Sequence, residues 1–502
     1  MFKRILIANR GEIAVRIIRA ASEMDIETVA VFSDADRLAL HTRLADYAYH
    51  IGLSPSQESY LVIDRILDAA QKSGAEAIHP GYGFLAENAD FARAVADAGL
   101  TFIGPPPQAI EDMGLKTRAR EIMIAAGVPV TPGTESAIDP GPEAAKIAEQ
   151  VGYPVLIKAA SGGGGKGMRV VETPDDLIKA MESASREAAS AFNNPQIYIE
   201  KYLEGPRHIE VQLLADQYGH TIHLNERECS IQRRHQKVVE EAPSPVITPD
   251  LRAQIGAAAI KAARACGYYN AGTVEFLLDR NKNFYFIEMN TRLQVEHPVT
   301  EMTTGIDLVK EQFKIAAGEK LTIQQEDVTI HGHAIECRVY AEDPLNNFYP
   351  STGMVKYLHP PAGPGIRNDS GIYEGGEISI YYDPLISKLV AWGRDRSEAI
   401  VRMRRALQEY HITGVRSNIP FCLLVVEHPK FIEGDFDTHF ISDHFRIEDM
   451  APGPVDKEKI AAIAAVLAYH AKPAASVSAS QPQNDGVSPW LSSGRRLGLR
   501  TR

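Results

Sequence analysis

The first 113 residues alternate short apolar runs with stretches whose apolar positions recur every three or four residues. We predict strands at 4–8, 28–32, 75–79 and 101–103, and helices at 12–24, 60–71 and 87–98. Strands that alternate with helices are typical of an α/β domain with a doubly wound parallel sheet. Ligands of such sheets bind at the carboxyl ends of the strands, so the turns there are the first candidates for a site.

Two of these turns contain glycine, at 9–12 (N-R-G-E) and at 79–84 (H-P-G-Y-G-F). Neither has the spacing G-x-G-x-x-G, so no dinucleotide site is predicted. Tight turning explains the glycine of the first turn at least as well as ligand binding does. The second turn also precedes or contains Tyr82 and Glu87, and we predict that it forms a wall of an active site.

Residues 113–127 have helical periodicity, with Lys116 near the start, and a small α/β unit is predicted over 131–203. An apolar strand at 155–159 carries Lys158 and leads into S-G-G-G-G-K-G-M at 161–168. Consecutive glycines allow several backbone N–H groups to converge on one anion, and such a loop can close over phosphates. A flexible linker is the alternative interpretation, although flanking strands and two lysines favour an anion site.

Three further segments carry polar groups on predicted strands. Residues 197–203 form a strand whose end could present backbone groups to a purine base, and 208–214 alternate as a strand with one polar face. The run at 226–237 (E-R-E-C-S-I-Q-R-R-H-Q-K) is dense in cations. In a chain of net charge −12 it indicates either an anion site or a solvated charged segment. An alanine-rich helix is predicted over 251–265.

Residues 273–298 are predicted to form a β-hairpin with an acid in each strand, Glu275 and Glu288. Buried carboxylates are costly unless they are paired or bind a metal. Polar residues alternate from Glu288 to Glu296, and an extended chain would place all of them on one face. Carboxylate and amide oxygens of Glu275, Glu288 and Asn290 suit Mg²⁺. A solvated polar face is an equally good explanation from this segment alone.

The pattern changes after residue 330, where 333–340 alternate as a strand carrying Arg338 and a helix is predicted over 395–409. We predict a mixed α+β domain there. Beyond 446, residues 457–470 are helix-prone, whereas 472–486 have the composition of a disordered segment. The basic end around Trp490 is interpreted as disordered, with a docking peptide as the alternative.

Composition narrows the functional class. The chain has 502 residues, enough for about three domains, and its acidity argues against general nucleic-acid binding. Four dispersed cysteines fit a reducing compartment and predict no zinc site. No apolar run predicts a membrane span or a secretory signal, so the expected location is the cytoplasm.

Five long motifs resemble biotin carboxylase, the ATP-grasp component of biotin-dependent carboxylases. They are N-R-G-E-I-A (9–14), H-P-G-Y-G-F-L (79–85), K-A-A-S-G-G-G-G-K-G-M (158–168), R-R-H-Q-K-V-V-E-E-A-P (233–243) and E-M-N-T-R-L-Q-V-E-H-P-V-T-E (288–301). The resemblance implies an ATP-grasp fold over residues 1–446. The implied divisions are an N-terminal domain at 1–113, an ATP-grasp domain at 114–330 with a mobile lid at 131–203, a C-terminal domain at 331–446, and a tail at 447–502.

The resemblance also implies roles at a nucleotide site. The implied ATP-binding residues are Lys116, Lys158, Gly163, Gly164, Gly165, Lys166, Gly167, Glu200, Lys201, Leu203, His208, Gln232, His235, Glu275 and Glu288. Glu275, Glu288 and Asn290 are the implied ligands of Mg²⁺ or Mn²⁺. Metal ions that bridge phosphate oxygens neutralise charge during phosphoryl transfer.

At the other end of the implied site, bicarbonate and biotin react. The implied bicarbonate- and biotin-binding residues are Lys237, Arg292, Gln294, Val295, Arg338 and Tyr82, with His439 nearby. The implied catalytic residues are Arg292, Glu296, Lys237 and Arg338. Glu296 would accept the bicarbonate proton so that carboxyphosphate forms, and Arg338 would stabilise the biotin enolate.

The implied partners are a separate biotin carboxyl carrier protein, since no biotinyl lysine motif follows, a carboxyltransferase, and a second copy in a homodimer. Acetyl-CoA is the expected final acceptor, which would link the chain to fatty acid biosynthesis, with two-subunit pyruvate, propionyl-CoA or other acyl-CoA carboxylases as alternatives. Another ATP-grasp ligase and a non-catalytic nucleotide-binding scaffold are also considered. The intact set of Glu296, Lys237 and the metal ligands disfavours the scaffold.

Overall fold

In the computed structural model, which describes residues 1–134, 136–160, 168–446 and 461–466, the N-terminal region contains a five-stranded parallel sheet of order β3-β2-β1-β4-β5. Its strands are β1 (Arg4–Ile7), β2 (Glu27–Ser33), β3 (Tyr47–Gly52), β4 (Ala77–His79) and β5 (Thr101–Phe102). Its helices are α1 (Gly11–Ser22), α2 (Leu40–Leu44), α3 (Ile63–Ser73), α4 (Ala89–Asp97) and α5 (Pro107–Gly114). The predicted parallel sheet is confirmed. The apolar pattern missed β3 because this edge strand exposes several of its side chains.

The single helix predicted over 113–127 is wrong at its start. α5 ends at Gly114, Leu115 is extended (φ −101°, ψ 110°), and α6 (Lys116–Ala125) follows. Glycine is a poor helix former, and its position before an extended residue allows the chain to change direction there. Lys116 is therefore the first residue of a new helix.

A small three-stranded antiparallel sheet follows, in the order β7-β6-β8. Its elements are α7 (Pro142–Val151), β6 (Val155–Ala159), β7 (Arg169–Val171), α8 (Leu177–Phe192) and β8 (Ile197–Lys201). Buried apolar side chains of the two helices and the sheet, among them Ile157 and Met181, form its own core. The glycines of the predicted phosphate lid, Gly163–Gly167, lie outside the described residues, so that lid stays a prediction.

An eight-stranded antiparallel sheet of order β13-β12-β9-β10-β11-β14-β21-β19 carries the rest of the fold. The first strands in the chain are β9 (Arg207–Ala215), β10 (Thr221–Arg233), β11 (Gln236–Ala242), β12 (Asn270–Leu278), β13 (Phe284–Asn290) and β14 (His333–Tyr340). The later strands are β15 (Glu342–Asp343), β16 (Tyr349–Pro350), β17 (Gly353–Met354), β18 (Tyr357–His359), β19 (Ile366–Ser370), β20 (Glu377–Ile378), β21 (Leu385–Gly393) and β22 (His411–Thr413). Because β11 pairs with β14, the sheet continues across residue 330. The proposed domain boundaries stay a prediction.

Helices pack against this sheet and contribute buried apolar side chains to its cores. They are α9 (Pro249–Ala265), α10 (His297–Thr304), α11 (Leu308–Ala316), α12 (Arg396–Glu409), α13 (Ile419–Glu427), α14 (Pro429–Glu433) and α15 (Phe440–His444). The Asp395 carboxylate accepts from the Glu398 N–H at 2.9 Å and caps α12. The helix therefore begins at Arg396, one residue later than predicted.

The residues Met1–Met450 form one unit and Ala451–Arg502 a second. Of the predicted helix at 457–470, residues 461–466 are described and are helical. The rest of the tail, including Trp490, lies outside the described residues. Among the described helices, none combines the length and the apolar character needed to cross a membrane.

Candidate active site

A cavity of about 1180 Å³ lies between the small sheet and the eight-stranded sheet. Most of the predicted site residues line it: Lys116, Lys158, Glu200, Lys201, Leu203, His208, Gln232, His235, Lys237, Glu275, Glu288, Asn290, Arg292, Gln294, Val295, Arg338 and His439. These residues are spread over more than 300 positions of sequence, and the fold brings them to one place. Tyr82 and Glu296 are not among the described lining residues.

The predicted hairpin is confirmed, and it sets the geometry of the cavity floor. Glu275 on β12 lies directly opposite Glu288 on β13 in the antiparallel register, so both acids project from the same face. The chain does not stay extended up to Glu296, because β13 ends at Asn290 and α10 starts at His297. Proline in the first turn favours this helix start, and the intervening residues form a turn.

Glu275 is the most heavily hydrogen-bonded acid of the floor. Its carboxylate lies 2.9 Å from His208 Nε2 and 3.2 Å from Lys237 Nζ, and it accepts from Asn290 Nδ2 at 2.7 Å and Gln294 Nε2 at 2.8 Å. Burial alone would raise the pKa of Glu275, but Lys237 and His208 hold it well below its ordinary value. The group is therefore an anion held in a fixed orientation.

The oxygen donors on this floor fit a divalent cation. Glu288 is partly exposed to the cavity and accepts from Lys116 Nζ at 2.8 Å, and the Asn290 amide lies beside Glu275. Two carboxylates and an amide oxygen at neighbouring strand positions are the kind of ligand set that Mg²⁺ takes when phosphate oxygens supply the remainder. The described side chains therefore agree with the implied metal ligands.

At the opposite wall, Lys158 and Lys201 lie next to the buried acid Glu200. Lys158 Nζ contacts a Glu200 carboxylate oxygen at 2.5 Å, and Arg120 Nη1 contacts the other at 3.2 Å. Lys201 Nζ instead donates to the backbone carbonyl of Gly152 at 2.8 Å. Lys116 and Lys158 both line the cavity. Each contacts a carboxylate, Glu288 or Glu200, and a phosphate group can replace that partner.

Glu296 is fully buried between two cations at the other end of the cavity. Its carboxylate contacts Lys237 Nζ at 2.5 Å and Arg338 Nη2 at 2.9 Å. Burial would raise the pKa of Glu296, but Lys237, Arg338 and Arg227 hold it well below its ordinary value. Because Lys237 and Arg338 line the cavity, Glu296 lies one side chain behind the cavity wall.

A buried charge network that the sequence patterns did not predict supports these groups. Arg338 Nε donates to Glu240 at 2.5 Å, and Lys237 Nζ contacts Glu210 at 2.5 Å. Glu210 also accepts from Arg227 Nε at 2.5 Å, and both side chains are completely buried. The polar face of 208–214 was a signal for Glu210, since the same alternation marks His208. Glu240 lies within one of the five motifs, but its spacing does not distinguish it.

Arg292 reaches the cavity between the metal ligands and the turn. Its Nε donates to Glu87 at 2.9 Å and its Nη2 to the Asn290 side-chain oxygen at 3.0 Å. Glu87 follows the H-P-G-Y-G-F turn and holds Arg292, but no described residue of 79–87 lines the cavity, so the wall predicted there is not found. The guanidinium presents a rigid set of donors suited to a planar oxyanion.

Three family models match successive parts of the chain between residues 1 and 443. Residues 1–110 match the biotin carboxylase N-terminal domain, 116–324 the ATP-binding domain of the carbamoyl-phosphate synthase L chain, and 336–443 the biotin carboxylase C-terminal domain. Biotin carboxylase 1 of Bacillus subtilis is 55% identical over 88% of this chain and 99% of its own length. The chain belongs to the biotin carboxylase family. It is accordingly an ATP-dependent ligase.

Other members of the biotin carboxylase family have different names and similar structures. A pyruvate carboxylase subunit from Methanothermobacter thermautotrophicus is 56% identical, covering 91% of this chain and 93% of that one. The biotin carboxylase domain dimer of Hydrogenobacter thermophilus 2-oxoglutarate carboxylase, solved with MgADP, ADP and bicarbonate, has a TM-score of 0.86 at 49% identity and covers 90% of this chain and all of that chain. These neighbours confirm the ATP-grasp fold.

Within this family framework, Tyr82 is not one of the described residues that line the cavity. Its hydroxyl donates to Glu12, and its ring lies 5.8 Å from Lys388 Nζ. A direct contact between Tyr82 and biotin stays a prediction. His439, by contrast, is part of the cavity wall.

The cation-rich run at 226–237 is not a solvated segment. β10 and β11 form a hairpin whose turn residues, Arg234 and His235, have positive φ, and all residues from Gln232 to Lys237 line the cavity. Gln232 Nε2 lies 2.9 Å from His208 Nδ1, and Arg233 Nη2 contacts Glu342 at 2.8 Å. Of the two interpretations offered by composition, the structure supports the one in which the run belongs to a site.

Proposed function

We propose that this chain uses ATP and bicarbonate to carboxylate biotin on a carrier protein, the first half-reaction of a biotin-dependent carboxylase. The observation that carries the proposal is the fully buried Glu296 carboxylate, which contacts Lys237 at 2.5 Å and Arg338 at 2.9 Å behind the wall of the cavity. Acid, lysine and arginine are the groups needed to deprotonate bicarbonate and to stabilise the anions that follow.

At the nucleotide end, Lys116 and Lys158 bind phosphate oxygens in place of Glu288 and Glu200, their present partners. The proposed adenine pocket is lined by Glu200, Lys201 and Leu203. The ribose is proposed to lie near His208, Gln232 and His235. Glu275, Glu288 and Asn290 hold Mg²⁺, with Mn²⁺ as an alternative, and the ion neutralises phosphate charge. The glycines at 163–165, Lys166 and Gly167 are proposed to close over the phosphates.

Arg292, Gln294, Val295 and Lys237 are proposed to bind bicarbonate. Glu296 takes its proton, so that the carbonate oxygen attacks the γ-phosphorus and ADP leaves, which gives carboxyphosphate. The low pKa of Glu296 reflects a free carboxylate that its cations stabilise well. When bicarbonate takes over part of the hydrogen bonding of Lys237, that stabilisation is reduced and Glu296 becomes a stronger base.

Carboxyphosphate then breaks down to CO₂ and phosphate, and phosphate removes the N1′ proton of biotin. Arg338 is proposed to stabilise the enolate oxygen that forms, while N1′ attacks CO₂. Glu240 holds Arg338 Nε at 2.5 Å and so fixes the guanidinium plane. Donors that are already oriented toward a developing anion stabilise it without further reorganisation.

For the final acceptor, we propose acetyl-CoA, with pyruvate and other acyl-CoA esters as alternatives. Relatives at 49–56% identity carry names that refer to pyruvate, 2-oxoglutarate, propionyl-CoA and methylcrotonoyl-CoA carboxylases. The residues of the cavity are proposed to bind ATP, bicarbonate and biotin, so the acceptor is selected by a carboxyltransferase partner. A homodimer in the cytoplasm is proposed, as the dimer named for the Hydrogenobacter neighbour suggests.

The direct test is the rate of ATP cleavage by the purified chain with Mg²⁺, measured with and without bicarbonate and with and without free biotin. The proposal predicts cleavage that depends on bicarbonate and is stimulated by biotin, together with bicarbonate-derived radiolabel in an acid-labile biotin product. Folded protein that binds ATP but shows no effect of biotin would refute it.

The acceptor is tested separately, by affinity capture of the chain from its own cells. The captured carboxyltransferase is assayed with carboxylated biotin and with acetyl-CoA, propionyl-CoA, pyruvate and 2-oxoglutarate in turn. Transfer to acetyl-CoA alone supports the first choice, whereas transfer to pyruvate alone would replace it.

A further inference from the structure

Two of the sequence motifs have no role in the reaction as described, N-R-G-E-I-A at 9–14 and H-P-G-Y-G-F-L at 79–85. They follow β1 and β4, which are neighbours in the parallel sheet. Asn9 Nδ2 donates to the carbonyl of Pro80 at 2.7 Å and to that of Tyr82 at 2.8 Å, so one side chain holds the two turns together. The motifs therefore act as one structural unit.

This unit presents a single acid to the C-terminal region. Glu12 is almost fully buried, accepts from the Tyr82 hydroxyl, and lies 3.2 Å from Lys388 Nζ on β21. The approach is close: a Cβ added at Gly371 would lie 2.5 Å from the backbone nitrogen of Glu12. Glycine is thus required where β19 ends against the start of α1.

Lys388 connects this contact to the active site. It is completely buried, and its Nζ donates to the backbone carbonyl of Val295 at 3.0 Å. On the sheet it lies directly opposite Arg338, so both side chains project from the same face. A buried ammonium costs several kcal/mol unless it is well paired, which ties Lys388 to its two partners, Glu12 and the Val295 carbonyl.

We propose that Lys388 is a positioning residue for the turn that carries Gln294, Val295 and Glu296, and that the two N-terminal motifs serve to hold Lys388 in place. This inference rests on the proposed function. The Val295 carbonyl belongs to the peptide plane that joins Val295 to Glu296. A hydrogen bond to that oxygen therefore also fixes the position of the Glu296 backbone nitrogen. The neighbouring residues on either side are the bicarbonate ligand Gln294 and the base itself.

The test compares wild type with Lys388→Met and with the double variant Glu12→Gln/Lys388→Met, in which no unpaired charge remains at the contact. Displacement of a reacting group by about 1 Å costs on the order of 10²-fold in rate. We therefore expect kcat/KM for bicarbonate to fall by about 10²-fold in both variants. KM for ATP is expected to stay within about twofold, because the nucleotide end has no contact with this group.

Thermal unfolding of the same proteins separates positioning from stability. The double variant is expected to recover most of the unfolding midpoint lost in Lys388→Met without recovering turnover with bicarbonate. Ser387→Ala is the matched control, since Ser387 is buried on the same strand and contacts Tyr410 at 2.9 Å on the other face. It is expected to lower the midpoint and leave the kinetics unchanged.

Recovery of kcat/KM for bicarbonate to within about threefold of wild type in the double variant would overturn the positioning role. Equal losses in the bicarbonate and ATP parameters, or failure of the double variant to fold, would make Lys388 a structural residue and overturn it as well. Wild-type protein without biotin-stimulated activity would refute the proposed function instead, so the two failures are distinguishable.

Discussion

Replacement of Glu296 by glutamine is the sharpest test of the chemistry, because it keeps the shape of the side chain and removes its basicity. The carboxylate contacts Lys237 at 2.5 Å and Arg338 at 2.9 Å and is completely buried. The amide can accept from one of these cations, but it cannot take a proton from bicarbonate. The perturbation therefore separates the base from the architecture around it.

The structure allows both consequences of Glu296→Gln to be estimated. Loss of a positioned general base lowers turnover by about 10²–10⁴-fold. Removing one partner of a buried ion pair costs about 3–5 kcal/mol when the other charge is left unpaired. Here Lys237 keeps Glu210 and Glu275, and Arg338 keeps Glu240, so no cation loses all of its partners. We therefore expect a smaller loss of unfolding free energy, about 1–3 kcal/mol.

The assay measures kcat for bicarbonate-dependent ATP cleavage and, separately, the Kd for a non-hydrolysable ATP analogue. Turnover is expected to collapse while the Kd changes by less than about twofold, since Glu296 lies at the bicarbonate end. Glu241→Gln is the matched control: Glu241 is equally buried between two bases, His333 at 2.6 Å and Arg396 at 2.7 Å, but faces away from the cavity. It should lose stability and keep its turnover per folded molecule.

Two results would refute this reasoning about Glu296. Comparable losses of turnover and of nucleotide affinity would show that the residue is structural. Near-normal turnover of Glu296→Gln in folded protein would show that another group accepts the bicarbonate proton.

Three further variants test the metal site, the nucleotide site and the parallel sheet. Glu288→Gln should raise the Mg²⁺ concentration at half-maximal rate by at least the roughly 10–100-fold that changes in supporting groups cause, and a Mg²⁺ titration measures it. Lys158→Met should raise KM for ATP by about 10–100-fold at unchanged bicarbonate KM, through loss of one charge-assisted hydrogen bond. Burial lowers the pKa of His79 to about 3, and its Nδ1 accepts from the Gly81 N–H. As the pH falls, His79 is protonated in the unfolded chain before it is protonated in the folded chain. The free energy of unfolding therefore decreases as the pH falls below about 6.5. Between pH 8 and pH 5, chemical denaturation should show a loss smaller by about 2 kcal/mol in His79→Gln than in wild type.

Much of the fold could be predicted because local patterning and burial agree there. The strand at β14 was predicted at its observed bounds, and the β12–β13 hairpin follows from two apolar runs around a polar turn. The helix break at Leu115 was missed because the apolar periodicity continues through it. The pairing of β11 with β14 was likewise not predictable, since nothing local to either strand specifies a partner almost 100 residues away.

For the site, residues with a local signal were found and those that act through a neighbour were missed. An acid within an apolar strand singled out Glu275, and alternation from Glu288 onward singled out Glu288 and Asn290, and all three line the cavity. Arg227 and Glu240 carry no such signal, because their role depends on contacts across strands. The chain does not run extended to Glu296, yet Arg292 and Gln294 reach the cavity from a turn.

The position of Glu296 also explains why one sheet must run through both ends of the site. Its two cations come from β11 and β14, whereas Glu296 itself lies at the entrance to α10. A shift of β14 against β11 would therefore move Arg338 relative to Lys237 and disturb the contacts of both cations with the base. Antiparallel pairing resists such a shift, because a slip by one residue would reverse the face of every side chain. The unbroken sheet thus keeps base and cations in register, and its strands β9, β12 and β13 carry His208, Glu275 and Glu288 at the nucleotide end.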